Sequence, residues 1–147
     1  MKSFFTIFLF SIFIFCTLPS SASTISIIVN KSNPINKMSK KELADYWLKK
    51  RTQWAGGKSV VVFGKIMGDP AKEIFLKDYL HLTISQFEEY WITRKQQDGV
   101  ARPQEIPSDR LTINLVGRLE NAISYVLASS ISAQDLKKIK IIEIFEN

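Results

Sequence analysis

The sequence predicts an α/β fold in which helices cover a mixed β-sheet. Three runs rich in β-branched residues have the length and composition of strands: residues 24–30, 58–63 and 122–127. Helix-capping residues precede several other segments, and apolar side chains recur in those segments at helical spacing. Strands and helices in this arrangement favour a layered α/β architecture.

The first half of the chain begins with the strand at residues 24–30. Ser39 and Glu42 then form the sequence pattern of a capping box, which predicts the start of the first helix. The second strand, at residues 58–63, leads through a glycine-containing turn into a helix that we expect at residues 70–80. These elements follow one another without a long linker.

The second half adds helices before the final strands. The motif S-Q-F-E at residues 85–88 predicts a second capping box, and residues 96–107 read as a polar surface loop with two prolines. Ser108 is expected to cap a helix in which Leu111 and Leu115 lie one turn apart. The last strands are residues 122–127 and 140–145, joined by a segment in which Ser132 caps a single helical turn. The predicted order is β-α-β-α-α-α-β-β.

The N-terminal segment has the three parts of a secretory signal. Lys2 precedes an apolar run at residues 4–18, and small residues follow Pro19. The alternative is a membrane anchor, but the apolar run is shorter than the roughly 20 residues that span a bilayer. We expect cleavage near Ser23, with residues 1–23 as the signal peptide, residues 24–147 as one domain, and a periplasmic location.

Composition limits the function classes. The single cysteine, Cys16, lies in the predicted signal, so the mature domain can form no disulfide and must be stabilised by its core. The net charge of +6 favours anionic partners.

Catalytic and metal-binding patterns are sparse. His81 is the only histidine, and it is expected to be a helix-end residue without a catalytic role. We therefore expect no enzyme activity, no metal and no cofactor. The three tryptophans are expected to pack in the core rather than to stack on nucleic acid, so we expect no nucleic-acid partner: Trp47, Trp54 and Trp91.

Four stretches resemble one protein family in the same order along the chain. They are VNKSNPINKMSKKELADYWLKKRTQWAGGKSVVVF, AKEIFLKDYL, YWITRKQQDGVARP and VGRLENAISYV. The family is the phosphate-binding substrate-binding proteins of ABC transporters, and the resemblance is strongest to its short members. It implies a single lobe of the type-2 periplasmic-binding-protein fold, with a mixed sheet flanked by helices. It also implies a small anion such as phosphate as ligand, and a membrane transporter or another periplasmic protein as partner.

The same resemblance places a ligand loop after the second strand. The family loop resembles R-S-D-G-S-G-T, and Lys65 stands at its arginine, Asp69 at its first ligand serine, Pro70 at its second glycine and Ala71 at its threonine. These changes weaken phosphate binding, because Asp69 adds negative charge and Pro70 removes an amide donor. The residues implied at the ligand are Lys65, Gly68, Asp69, Ala71, Lys72 and Arg94.

Two functions follow as expectations. One is a secreted solute-binding-like protein that binds phosphate or a related anion weakly, either alone or as a homodimer that rebuilds a two-lobed cleft. The other is a periplasmic interaction or sensor module that keeps the lobe without the ligand.

Overall fold

The computed structural model describes residues 22–146. The signal peptide predicted at residues 1–23 lies almost entirely outside this range, and its cleavage stays a prediction. A five-stranded mixed sheet has the strand order β4-β3-β5-β1-β6, and β2 and β7 form a separate parallel pair. The strands are β1 (Ile25–Asn30), β2 (Lys37–Ser39), β3 (Val61–Lys65), β4 (Gln104–Ile106), β5 (Ala122–Leu127), β6 (Ile139–Ile141) and β7 (Glu143–Phe145).

In the part of the chain that the structure describes, four α-helices flank the sheet. They are α1 (Lys40–Trp47), α2 (Pro70–Phe75), α3 (Ile84–Asp98) and α4 (Asp109–Arg118), and α2 continues as a π-helical turn, Leu76–Leu80. His81 ends this turn in the left-handed conformation, with a φ of 54°, and its side chain is exposed. The predicted α/β class and mixed sheet are confirmed.

The core lies on both faces of the sheet. Along β1, Ile27 and Val29 point to a large cluster formed with α1, α2 and α3, whereas Ile28 points to a smaller cluster beneath α4. This alternation is what the pleat of a strand imposes. The large cluster contains all three tryptophans, so their predicted place in the core is confirmed.

Several predicted boundaries were wrong. The second strand begins and ends later than residues 58–63, and Lys65 is its last residue. The predicted loop at residues 96–107 is divided between the end of α3 and the short strand β4, which pairs with β3. The predicted last strand, residues 140–145, is two strands in different sheets. The strand β2 was not predicted.

The start of α3 also differs from the prediction. Thr83, not Ser85, is the N-cap: the Thr83 hydroxyl accepts from the Gln86 amide, and the Gln86 side chain accepts from the Thr83 amide. The carboxylate of Glu88 is held instead by Arg102, at 2.7 and 2.9 Å. Glu88 is therefore engaged in tertiary contact and does not close a capping box.

Candidate functional site

The carboxyl ends of three parallel strands meet at one edge of the sheet. β3 runs parallel to both β4 and β5, so the ends of these strands at Lys65, Ile106 and Leu127 lie on the same side. Ligands of open α/β sheets bind preferentially at this kind of edge. The edge is the candidate site.

The loop between β3 and α2 is a tight turn at this edge. The Asp69 amide donates to the Ile66 carbonyl at 3.3 Å, and Gly68 has a φ of 83°. A hydrogen-bonded turn with positive φ at its third residue has the form of a type II turn, which favours glycine there. Within residues 22–146, the amides of Met67 and Gly68 have no hydrogen-bond acceptor.

The end of the turn is occupied by a helix cap. The Asp69 carboxylate accepts from the Ala71 amide at 2.9 Å, and Pro70 is the first residue of α2. A capping carboxylate satisfies the amide that an anion would otherwise reach, and proline has no amide to offer. The cap therefore reduces the number of donors available to a ligand.

The first two side chains of the turn are apolar and exposed. Ile66 is 40% exposed and Met67 is 53% exposed. Large exposed apolar side chains at a ligand edge favour contact with another apolar surface more than with a free anion.

Lys65 is wholly buried behind the turn, with 0% exposure. Its ammonium group donates to the Thr112 hydroxyl at 2.9 Å and forms an ion pair with the Asp109 carboxylate. The Thr112 hydroxyl in turn donates to the Ser108 carbonyl, so its lone pair is free to accept from Lys65. Buried charge is tolerated when it is paired and hydrogen-bonded in this way.

Asp109 receives further donors at its second oxygen. The Leu127 amide donates to Oδ2 at 3.1 Å and the Ser130 hydroxyl at 2.6 Å. Burial is the largest single influence and raises the pKa of Asp109, but the hydrogen bonds from Lys65, Ser130 and Leu127 and the charge of Lys65 together hold the pKa below its usual value. The carboxylate is thus charged at neutral pH.

Lys72 and Arg102 belong to a second charged cluster. Lys72 donates to Glu105 at 2.6 Å, and Arg102 binds both oxygens of Glu88. The hydrogen bond from Arg102 is the largest influence on Glu88 and lowers its pKa, against the opposing effect of burial. This cluster joins α2, α3 and β4.

Little space remains among these cations. Lys65, Lys72 and Arg102 line the same cavity, together with Glu105 and Tyr125, but its volume is about 10 Å³. That is room for roughly one water molecule and not for a phosphate. The two lysines are already paired with internal carboxylates, Lys65 with Asp109 and Lys72 with Glu105.

The predicted ligand residues are therefore brought together only in part. Lys65, Gly68, Asp69, Ala71 and Lys72 lie in or next to the turn, but both lysines are engaged with carboxylates. Arg94 lies on α3, does not line the cavity, and pairs with Asp98 one turn further along the helix. The assignment of these residues to a ligand stays a prediction.

Sequence reasoning did not identify three residues of the edge: Asp109, Thr112 and Ser130. Ser108 and Asp109 have the pattern of an ordinary helix start, in which an acidic first residue complements the helix dipole. Nothing in that pattern indicates that Asp109 also contacts a lysine more than forty residues earlier. The signal that could have directed attention to it is the lysine ending a buried strand, since a buried cation requires an anion nearby.

A larger cleft of about 200 Å³ lies at the opposite edge of the sheet. Its lining includes Asn33, Pro34, Trp54 and Asn121, with Lys58 paired to Glu120. The cation in its lining, Lys58, is exposed and lies near Glu120, so its charge is screened by solvent and acts only weakly on an anion.

Two further observations concern membrane spans and metal sites. Across the described part of the chain, no helix has the length and apolar character required to cross a membrane. Among residues 22–146, no group of three or more histidine, cysteine, aspartate or glutamate side chains is arranged to hold a metal ion.

Comparisons with known proteins give similarity at the level of structure. No protein-family model matches the sequence, and no curated protein matches it. The fold is similar to a solved structure from Clostridium perfringens, described as a phosphate ABC transporter substrate-binding protein with bound phosphate. The TM-score is 0.65 and the identity is 18%, over 83% of this chain and 45% of that one.

Two other solved structures give comparable values. An ABC-type phosphate transport receptor from Vibrio cholerae matches with a TM-score of 0.64 and 14% identity, over 83% of this chain and 47% of that one. PstS from Borrelia burgdorferi matches with a TM-score of 0.64 and 11% identity, over the same shares. The chain thus spans less than half the length of these proteins, and its mixed α/β fold is similar to part of theirs.

Proposed function

We propose that this protein is a solute-binding-like protein of the phosphate ABC transporter type, which binds phosphate or a related small anion weakly. The observation that carries the proposal is the turn at residues 66–69. Among residues 22–146 of this fold, the amides of Met67 and Gly68 have no hydrogen-bond acceptor, and they lie at the carboxyl edge of β3. Adjacent backbone amides in a turn form a concavity that favours anions.

The affinity is expected to be low because few charges are free to act on the ligand. Asp69 lies beside the amides, and a carboxylate about 4 Å from phosphate costs on the order of 1 to 4 kcal/mol, depending on the local dielectric. The positive charges of Lys65 and Lys72 attract the ligand only weakly, because Lys65 is paired with Asp109 and Lys72 with Glu105. Arg94 contributes only after release from Asp98.

The biological setting follows from the N-terminal segment and the fold. We propose that residues 1–23 direct export to the periplasm and that the exported domain hands its anion to a membrane transporter or to another periplasmic protein. The proposal includes no catalytic step, no metal and no cofactor. A homodimer that supplies a second lobe would add donors to the ligand.

An NMR titration tests the proposal. The protein is expressed from its full-length sequence, purified after export, and titrated with phosphate and then sulfate at constant ionic strength. Saturable shifts of the Met67 and Gly68 amides are the expected result. A folded spectrum in which neither amide responds to millimolar phosphate would remove anion binding by this turn.

Two variants sharpen the test. Asp69→Ser keeps a helix-capping oxygen and removes the charge, so it should strengthen binding by about tenfold or more. Asp78→Ser makes the same change on an exposed residue outside the turn, and it should leave the affinity within about twofold, because distant exposed charges are screened. An equal gain in affinity for both variants would show that only the net charge of the protein affects anion binding.

A second function is favoured by the exposed side chains of Ile66 and Met67. In this alternative the lobe is a periplasmic interaction or sensor module whose turn contacts a protein partner. Photo-crosslinking from position 67 in the exporting host tests it. A specific adduct that is lost in Ile66→Ser, with no phosphate response in the titration, would favour this function over anion binding.

A further inference from the structure

The carboxylate of Asp109 has the surroundings of a bound oxyanion. It contacts an ammonium group from Lys65, a backbone amide from Leu127 and a hydroxyl from Ser130. These three donors come from the end of β3, the end of β5 and the turn after β5, and they converge at the carboxyl edge. Amide, hydroxyl and cation together are the donors that proteins use for carboxylates, sulfates and phosphates.

Two of the three donors, Lys65 and the Leu127 amide, are held in place independently of Asp109. The stem of Lys65 is fixed by complete burial in β3, and its ammonium group is also held by Thr112. Leu127 is held by the ladder between β5 and β1, where it pairs with Ile25. A site whose donors are fixed by the sheet keeps its shape when its occupant changes.

The Asp109 side chain lies near the surface, although its Oδ1 atom, which pairs with Lys65, is buried. The Asp109 side chain is 14% exposed, whereas the Lys65 side chain beneath it is 0% exposed. If the carboxylate were removed, the vacated space would connect to water, and the buried ammonium group would lack its anion. An unpaired buried charge is costly, so an external anion gains by entering.

We propose that Asp109 is an internal anion that fills an oxyanion site at the carboxyl edge, and that it determines specificity by excluding free oxyanions from Lys65. The inference goes beyond the proposed function, because it concerns Lys65, Leu127 and Ser130 and not the amides of the turn. The ligand class of the unmasked site is small oxyanions: formate, sulfate and phosphate.

Rescue by small anions tests the inference. Asp109→Ala vacates the site, whereas Asp109→Asn fills it with a neutral side chain of the same size. Formate or sulfate at constant ionic strength should raise the melting temperature of Asp109→Ala by several degrees more than that of Asp109→Asn or of the unmodified protein. The sulfate affinity of Asp109→Ala should exceed that of the unmodified protein by about tenfold or more.

A double variant identifies the cation. Lys65→Met combined with Asp109→Ala removes both charges, so its melting temperature should respond to formate no more than that of the unmodified protein. In Asp109→Ala alone, NMR shifts on adding sulfate should centre on Leu127 and Ser130. The proposed function is tested separately, by the NMR shifts of the Met67 and Gly68 amides in the unmodified protein. The inference and the proposed function can therefore fail independently.

Each outcome decides the inference. Stronger rescue of Asp109→Ala, or recovery of its folding by formate, supports it. A folded Asp109→Ala that responds no more than Asp109→Asn overturns it. Failure of Asp109→Ala to fold in any of the anions, while the double variant folds, overturns it as well, because the donors would then not form a site without the covalent carboxylate.

Discussion

The ammonium group of Lys65 and the carboxylate of Asp109 form an ion pair that joins the end of β3 to the start of α4. Because Lys65 is wholly buried, this pair ties a strand in the sheet to the helix that covers one of its faces. The charges at the carboxyl edge of the sheet therefore affect the stability of the domain as well as the proposed anion binding.

Breaking this pair from either side should destabilise the domain strongly. Lys65→Met or Asp109→Asn leaves one charge without its partner, and the loss of unfolding free energy should be about 3 to 5 kcal/mol for a buried partner. The variant that combines Lys65→Met with Asp109→Asn should lose about 1 to 3 kcal/mol less unfolding free energy than the sum of the two single losses. Urea unfolding of all four proteins measures the coupling. Strict additivity would show that the two side chains act separately.

The true start of α3 can be checked with a matched pair of variants. Thr83→Ala removes the N-cap oxygen and should lower the unfolding free energy by about 1 kcal/mol. Ser85→Ala replaces a residue already inside the helix, where alanine has the better propensity, so its effect should be within about 0.5 kcal/mol. Thermal unfolding of both proteins gives the comparison. A larger loss of unfolding free energy for Ser85→Ala would indicate that Ser85 is the N-cap, as the sequence predicted.

Gly68 should be sensitive to substitution because of its backbone. A Cβ at this position meets no atom within 4 Å, but the φ of 83° is unfavourable for any side chain. Gly68→Ala should therefore cost about 1 to 2 kcal/mol. Gly56→Ala is the control, since Gly56 also has open space and its φ lies outside the left-handed region. Chemical unfolding measures both, and equal losses would contradict a conformational cause.

The Glu88 carboxylate should contribute to stability in a pH-dependent way. Its pKa is lowered in the folded state, chiefly by the hydrogen bond from Arg102. The contribution is therefore complete above the unfolded pKa of about 4.3 and is lost as pH falls through the folded pKa. Glu88→Gln should be less stable than the unmodified protein at pH 7, by about 1 kcal/mol.

That difference should shrink as the pH is lowered below about 4, because the unmodified protein then loses the same ion pair. Urea unfolding at a series of pH values checks the sign. The control is Glu73→Gln, which changes an exposed carboxylate on α2. A difference between Glu88→Gln and the unmodified protein that grows on acidification would contradict the assignment.

The sequence predicted the layers well because local signals agree with tertiary structure there. The β-branched runs at β1 and β5 have no competing helical pattern, and Ser39 and Glu42 form the capping box that their spacing indicates. The predicted start of α3 was wrong because two overlapping motifs both fit the capping-box pattern. Only the contact between Glu88 and Arg102 distinguishes them. That contact is not visible in local sequence.

The position of the candidate site could be predicted from the sequence, but the pairing of its charged residues could not. The strand, glycine turn and helix around Gly68 follow from local propensity, so the loop is where the sequence indicates. Whether Lys65 faces a ligand or an internal carboxylate depends on Asp109, which a separate helix brings to it. Pairings between distant residues of this kind are set by packing of the whole domain and have no local signature.

The position of β1 in the sheet imposes an order on folding. β1 is the first strand of the domain, yet it lies between β5 and β6, which come close to the end of the chain. A growing polypeptide that has reached only α4 has neither sheet partner of β1, so the backbone of β1 has no ladder to join. Contacts between such distant segments slow folding. The sheet around β1 therefore closes only after β5 and β6 are available, and such late closure would favour the proposed export of an unfolded chain.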